Sequence, residues 1–253
     1  MKVLLIVLLS VGGSTVLGVL GGLLVRNLPH RGNDIVLGFS AGVMLAAAAL
    51  GLLAPSFSTP DGSLVLPLLG AFAGAALISL LDRIVPHLHR LAGIESEEHR
   101  ANGSVAKSLL FVAALALHKI PEGLATGVSF GTGNVGDVLT VAGSISLQNI
   151  PEAFVIVAPL FAIGVAPRRV VLISLAIAFV SILSVLGGYG LVSVFSGVLP
   201  FLLAAAGGAM LYVISDEMIP ETHAHGFEKE ATFSLLSGFL LVLVLQRLLE
   251  GVD

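Results

Sequence analysis

The sequence contains no cysteine and few charged residues, and both shortages narrow the class of protein. Without cysteine, disulfide bonds and thiolate metal sites are excluded. Only 11% of the 253 residues are charged, compared with about 25% in an ordinary soluble domain. No basic patch or aromatic array indicates a nucleic-acid partner. With 56% hydrophobic residues, the chain is instead typical of a protein that crosses a lipid bilayer many times.

Eight apolar stretches reach the length of about 20 residues that a membrane-spanning helix needs. They predict an all-α, polytopic membrane protein whose residues 1–253 form a single transmembrane domain. The first stretch is too long for a signal peptide and lacks a small-x-small cleavage site, so we expect it to be retained. The predicted spans are 3–25, 35–54, 63–85, 104–128, 138–163, 170–195, 198–219 and 231–249.

Lysine and arginine concentrate in the loops that follow the odd-numbered spans. The positive-inside rule therefore places these loops in the cytoplasm and both termini on the opposite side. The protein is expected to lie in the cell membrane. The third loop, about residues 87–106, is the longest polar stretch and is expected to be a flexible cytoplasmic linker. Asn33 or Asp34 is predicted to cap the second helix.

Two copies of an Ile-Pro-Glu motif lie inside the fourth and fifth spans, where a carboxylate is costly. Residues 117–123 read Leu-His-Lys-Ile-Pro-Glu-Gly, and residues 147–153 read Leu-Gln-Asn-Ile-Pro-Glu-Ala. A charged side chain at membrane depth costs at least ~2.5–3.5 kcal/mol, so its presence indicates a function. The pairs His118/Glu122 and Gln148/Glu152 are each spaced i, i+4 and share a helix face. The repeat thus predicts one polar pocket built from two neighbouring helices.

The prolines of the two motifs support an internal position for this pocket. Pro121 and Pro151 have no N–H, so the carbonyls of Leu117 and Leu147 lose their usual helical partners. Freed carbonyls within a bilayer are tolerated only against protein or water. Both motifs are therefore expected to line an internal path rather than to face lipid.

Further polar or soft residues admit both a structural and a functional interpretation. Met44, in Ser-Ala-Gly-Val-Met at 40–44, is either a core residue or a soft thioether ligand for a transition metal. Serines of the sixth span are expected to form interhelical hydrogen bonds. A third Ile-Pro-Glu ends the seventh span, and its acidic residues are either solvated or part of a metal exit. Candidate exit-side metal ligands are Glu217, Glu221, His223, His225, His87 and His89.

The paired motifs resemble those of the ZIP family of divalent metal transporters. Gln148 and the 40–44 stretch are similar to its bacterial GufA-like branch. The resemblance implies uptake of divalent metal ions toward the cytoplasm, eight helices arranged as three, two and three with an inverted repeat, and commonly a homodimer. It also implies a metal site midway through the membrane, formed by Met44, His118, Glu122, Gln148 and Glu152.

Lys119 departs from the pattern of that branch, in which an asparagine helps to hold a second metal. The acidic residue that completes the second site in the sixth span is also absent, and Ser184 takes its place. Lys119, Asn149 and Ser184 are thus the residues at the replaced second site. A second divalent ion would leave excess positive charge where charge burial is expensive. Because Lys119 precedes Glu122 by three residues, we expect its ammonium to replace the second metal and leave a single-metal site. Alternatively, Lys119 snorkels or pairs with an unrelated carboxylate.

The donor set favours a transition metal over magnesium, which prefers oxygen and keeps its waters. Zinc suits histidine nitrogen and carboxylate oxygen, cadmium would favour the sulfur of Met44, and iron or manganese remain open. Protonation of the ligands would lower metal affinity and favour release. A selective metal channel would use the same residues. An intramembrane metalloprotease is disfavoured because the chain has no His-Glu-x-x-His, so no enzyme is predicted.

Overall fold

The computed structural model of the chain describes residues 2–25, 28–58, 64–84, 118–162 and 164–249. In these ranges all regular secondary structure is helical, as predicted. The helices there are α1 (Lys2–Val25), α2 (His30–Phe57), α3 (Val65–Ile84), α4 (described over 118–129), α5 (Val135–Val155), α6 (Val157–Ala162), α7 (Pro167–Val194), α8 (Leu199–Thr222) and α9 (Glu228–Leu249).

Five helices of the described chain are long and apolar enough to cross a membrane, namely α1, α2, α7, α8 and α9. The prediction of a multi-pass membrane protein is therefore confirmed. The count of eight spans stays a prediction, because the fourth predicted span is described only from residue 118 and the loop of 87–106 lies outside the described residues. The predicted cap of α2 is wrong: the helix begins earlier, at His30, and Asp34 lies buried inside it.

Two of the long helices change to a wider π-helical turn close to a proline. The π segments are Ala47–Leu53 in α2 and Ile214–Met218 in α8. Pro55 and Pro220 follow them, and a proline in a helix removes the bond to the carbonyl four residues earlier and clashes with it. In both helices that carbonyl belongs to the π segment, so the widened turn accommodates the proline without ending the helix.

Glycines set the closest helix pairs in one half of the molecule. A Cβ atom added at Gly42 of α2 would meet the carbonyl oxygen of Leu235 in α9. One added at Gly74 of α3 would meet that of Ala205 in α8. Gly207 of α8 in turn lies against α2. Because small residues allow backbones to approach in lipid, α2, α3, α8 and α9 form one packed unit, which we call the flanking group.

The remaining long helices form a second unit, which we call the site group. Gly18 of α1 lies against the carbonyl oxygen of Ile150 in α5, and Gly127 of α4 lies against that of Val185 in α7. Asn149 of α5 donates its Nδ2 hydrogen to the carbonyl oxygen of Val11 in α1 at 3.3 Å. The site group therefore comprises α1, α4, α5 and α7. It holds the Ile-Pro-Glu motifs of residues 120–122 and 150–152.

A candidate metal site between α4 and α5

Lys119 lies at the centre of a buried charge cluster that joins the two motifs. Its Nζ donates to Glu122 Oε2 at 2.7 Å, to Asn149 Oδ1 at 2.7 Å and to Glu152 Oε2 at 2.5 Å. Lys119 and Glu122 are each only 2% exposed. Buried ions of this kind are tolerated when opposite charges and hydrogen bonds satisfy them together. The two carboxylates of the repeated motif thus face one cation supplied by the chain itself.

The repeated sequence explains why these side chains converge. Lys119 and Glu122 occupy the same offsets in the first motif as Asn149 and Glu152 do in the second. Residues three apart lie on one helix face, so each helix presents a carboxylate and one further polar group together. Packing the two faces against each other gives the ammonium three acceptors. The alternative that Lys119 snorkels toward the membrane surface does not agree with this burial.

Gln148, one turn before Glu152, is completely buried, yet neither Oε1 nor Nε2 of its amide has a hydrogen-bond partner. Most buried polar atoms in proteins are paired, and an unpaired one calls for a ligand, water or ion. An amide oxygen is a suitable donor for a divalent cation. The chemistry of this orphaned amide, one helical turn from Glu152 in α5, therefore fits a divalent cation.

His118 is held by a residue of the flanking group. Its Nε2 lies 2.9 Å from Glu217 Oε2 and 3.1 Å from Glu217 Oε1, in the π segment of α8. Met44 of α2 is buried, with 1% exposure. The structure thus gathers Glu122 and Glu152 around Lys119, while His118 points to α8.

Ser40 is a site residue that the sequence reasoning missed. Its hydroxyl is completely buried, and its single hydrogen has two acceptors within reach, Glu152 Oε1 at 3.0 Å and the carbonyl oxygen of Gln148 at 3.2 Å. Its spacing of one helical turn from Met44 was a usable signal, since both residues must share the face of α2. A serine in an apolar helix is, however, equally compatible with simple close packing.

The candidate exit-side residues do not come together at one point. Glu217 contacts His118, whereas His223 Nδ1 lies 2.8 Å from the carbonyl oxygen of Ile219 and His225 Nδ1 lies 2.9 Å from Asp34 Oδ1. Glu221 is half-buried near the end of α8, and the two loop histidines, 87 and 89, lie outside the described residues. Across the described ranges, no three histidine or carboxylate side chains surround a common metal position.

The serines of α7 do not form the expected interhelical hydrogen bonds. Ser184 donates to the carbonyl oxygen of Val180 at 2.9 Å, and Ser181 donates to that of Ile177. Both bonds lie within α7, because a hydroxyl in a helix readily reaches the carbonyl four residues earlier. The small serine side chains instead allow α4 to approach, since Gly123 lies against Ser184 and the Ser181 carbonyl.

Membrane-spanning helices that gather two carboxylates around a buried lysine, with an unpaired buried amide in the same helix as one of them, define a polytopic membrane protein with a charged cluster between its helices. Comparison with known proteins identifies its family. The family model described as ZIP Zinc transporter matches residues 87–246. The chain is 37% identical over 244 residues to zinc transporter ZIPB of Bordetella bronchiseptica, covering 93% of this chain and 78% of that protein.

A second relative covers almost the whole of both chains. Zinc transporter GufA of Myxococcus xanthus is 37% identical over 250 residues, which is 95% of this chain and 96% of that protein. Zinc transporter ZupT of Streptococcus mutans is 25% identical over 245 residues. The chain therefore belongs to the ZIP family, and the resemblance based on the motifs is confirmed. Since members of this family are transporters and not enzymes, the metalloprotease alternative is wrong.

Proposed function

We propose that this protein carries zinc into the cytoplasm through a single-metal site midway along an eight-helix domain arranged as three, two and three with an inverted repeat. The observation that carries the proposal is the position of Lys119. Its ammonium lies between the buried Glu122 carboxylate and the largely buried Glu152 carboxylate, where the family resemblance implies a second metal. Zinc is the cargo named for the relatives of this chain.

The proposed ligands combine nitrogen, oxygen and sulfur. His118 offers an imidazole nitrogen, Glu122 and Glu152 offer carboxylate oxygens, and Gln148 offers its unpaired amide oxygen. Met44 offers a thioether from α2. Zinc accepts nitrogen and oxygen ligands in a flexible geometry. The sulfur would favour cadmium as an additional substrate, while iron and manganese use the same donors less selectively.

A charge count supports one metal rather than two. Lys119 and one divalent ion together carry three positive charges, one more than the two negative charges of Glu122 and Glu152. A second divalent ion would raise that excess to three beside the buried Lys119 and Glu122. Burial of uncompensated charge is expensive, so the ammonium and a second metal exclude each other.

The division into two helix groups suggests how access to the site alternates. Four proposed ligands belong to the site group, and Met44 belongs to the flanking group. Sliding or rocking of one group against the other would expose the site first to one side and then to the other. Glu217, which contacts His118, is the proposed first contact on the exit side. The other exit-side residues, a homodimer and outside termini are part of the same proposal.

Zinc uptake into vesicles tests the proposal directly. We expect His118→Ala and Glu152→Ala to abolish uptake while the proteins remain folded by circular dichroism. Ser144→Ala is the matched control, since Ser144 is buried in α5 but bonds only to the carbonyl oxygen of Thr140 in its own helix. Uptake that saturates with zinc identifies a carrier, whereas uptake that rises in proportion to zinc would identify a channel.

Metal stoichiometry tests the role of Lys119. We expect one tightly bound zinc per protomer in the wild type and two in the double variant Lys119→Asn/Ser184→Glu, which restores both residues of the related branch. The measurement is the zinc content of purified protein after equilibrium dialysis. Two tightly bound ions in the wild type would contradict the single-metal site.

A further inference from the structure

The hydroxyl of Ser40 connects the two helix groups at the metal site itself. Ser40 belongs to α2 in the flanking group, and its hydrogen-bond acceptors, Glu152 Oε1 and the Gln148 carbonyl oxygen, belong to α5 in the site group. Lys119, from the site group, holds the other oxygen of the same carboxylate. Glu152 is therefore fixed at both oxygens, once from within its own group and once from across the boundary.

We propose that Ser40 is a positioning residue that raises zinc affinity only while α2 adjoins α5, so that displacement of the two groups lowers affinity and releases the ion. The inference rests on the proposed carrier function. It adds a structural cause for a difference in zinc affinity between the two sides of the membrane. A carrier needs this difference in order to bind zinc on one side and release it on the other.

The hydrogen bond can support metal binding without blocking it. A carboxylate oxygen has two lone pairs, so Glu152 Oε1 can accept from Ser40 and still face a metal. Ligating carboxylates are commonly oriented by such outer hydrogen bonds, and their removal costs 10–100-fold in metal affinity or activity. In this chain the outer donor is completely buried, so water does not readily replace it.

The dependence on conformation follows from the packing of α2. The carbonyl oxygens of Ala231 and Leu235 in α9 lie directly against Gly38 and Gly42, on either side of Ser40 in the sequence. Helix α2 is therefore packed backbone to backbone against α9 and is expected to move with it. Helix α5 touches this pair where Val141 meets Gly51 of α2 and where Gly136 meets the Leu249 carbonyl oxygen of α9, and both contacts must separate when the groups move. A shift by one helical turn, about 5.4 Å, would separate Ser40 from Glu152 but leave the Lys119–Glu152 contact intact.

The test compares Ser40→Ala with Ser40→Thr in the full-length protein. Zinc flux is measured in right-side-out and inside-out membrane vesicles, with the half-saturating zinc concentration and the maximal rate recorded for each. Ser40→Ala is expected to raise the half-saturating concentration at least tenfold from one side only, with the maximal rate retained. Ser40→Thr keeps a hydroxyl and is expected to retain the wild-type value. Ser144→Ala serves as the control for loss of a buried hydroxyl.

Several results would overturn the inference. These are an unchanged half-saturating concentration in Ser40→Ala, an equal shift from both sides, or the same shift in Ser144→Ala. Should Ser40→Ala fail to fold, Ser40→Cys provides a side chain of similar volume with a weaker donor, and an unshifted value there would contradict the proposal. Wild-type vesicles without saturable zinc flux would instead reject the carrier function, which separates the two failures.

Discussion

Lys119 is the residue on which the charge balance of the buried site depends. Its removal would leave the buried Glu122 and the largely buried Glu152 without the cation that lies between them. Breaking a buried ion pair on one side typically costs about 3–5 kcal/mol. We therefore expect Lys119→Met to lower the melting temperature of the metal-free protein markedly, as followed by circular dichroism in detergent.

The double variant Lys119→Met/Glu152→Gln is the control for that effect. It removes one negative charge together with the positive one, so much of the lost stability should return. A double variant no more stable than Lys119→Met would show that the ammonium acts through packing rather than through charge.

Replacement of Gln148 is expected to raise the stability of the metal-free protein and to lower its affinity for zinc. Its unpaired buried amide costs the metal-free protein about 1–3 kcal/mol. Gln148→Met removes this cost at similar volume, so we expect a higher melting temperature without metal. Zinc affinity should fall, since the hard oxygen donor is lost, and calorimetric titration measures it. A variant that both melts earlier and binds zinc as tightly as the wild type would contradict this role.

The sequence was sufficient to predict that the two motifs meet, because their equal spacing places equivalent side chains on equivalent faces. It also placed Lys119 within reach of Glu122. It could not predict that His118 contacts Glu217 or that Ser40 contacts Glu152, because both contacts join helices far apart in the chain. Such contacts depend on the packing of the two helix groups, for which the residues themselves carry no periodic signal.

At the level of helices, close glycine contacts determine which pairs stay together. We expect Gly42→Ala to destabilise the protein by about 1–3 kcal/mol, because its Cβ would collide with the backbone of α9. Gly143→Ala in α5 is the matched control, since nothing lies within 4 Å of a Cβ there. Thermal unfolding in detergent measures both. Equal effects of the two substitutions would show that the close approach of α2 and α9 is unimportant for stability.

Helix positions followed well from hydropathy, but helix ends and internal irregularities did not. The apolar run of the second span predicted a helix start at residue 35, whereas α2 begins at His30. Hydropathy marks only the apolar part of a helix, and it therefore missed the polar first turn that begins with His30 and Arg31. The π segments of α2 and α8 left no signal in composition. Pro55 and Pro220 could have indicated them, yet a proline near a helix end is compatible with a regular terminus as well.

For the whole molecule, the absence of cysteine makes the predicted orientation directly testable. Ser58, exposed directly after α2, and Ala166, exposed before α7, are predicted to lie outside and inside the cell, respectively. In intact cells a membrane-impermeant maleimide should label Ser58→Cys and leave Ala166→Cys unlabelled until the membrane is permeabilised. The unmodified chain provides a background without reaction. The reverse labelling pattern would invert the proposed topology.

The tethered ammonium also determines how the electric field across the membrane acts on the transport cycle. Counted with both carboxylates ionised, Glu122, Glu152 and Lys119 together carry one negative charge in the empty form of the proposed site and one positive charge when it holds a divalent ion. A potential that is negative inside would therefore draw the loaded site inward and drive the empty site outward. Each unit charge that crosses the full field gains about 2.3 kcal/mol per 100 mV. In the proposed carrier, a single lysine would thus let the resting potential of the cell favour both halves of the cycle.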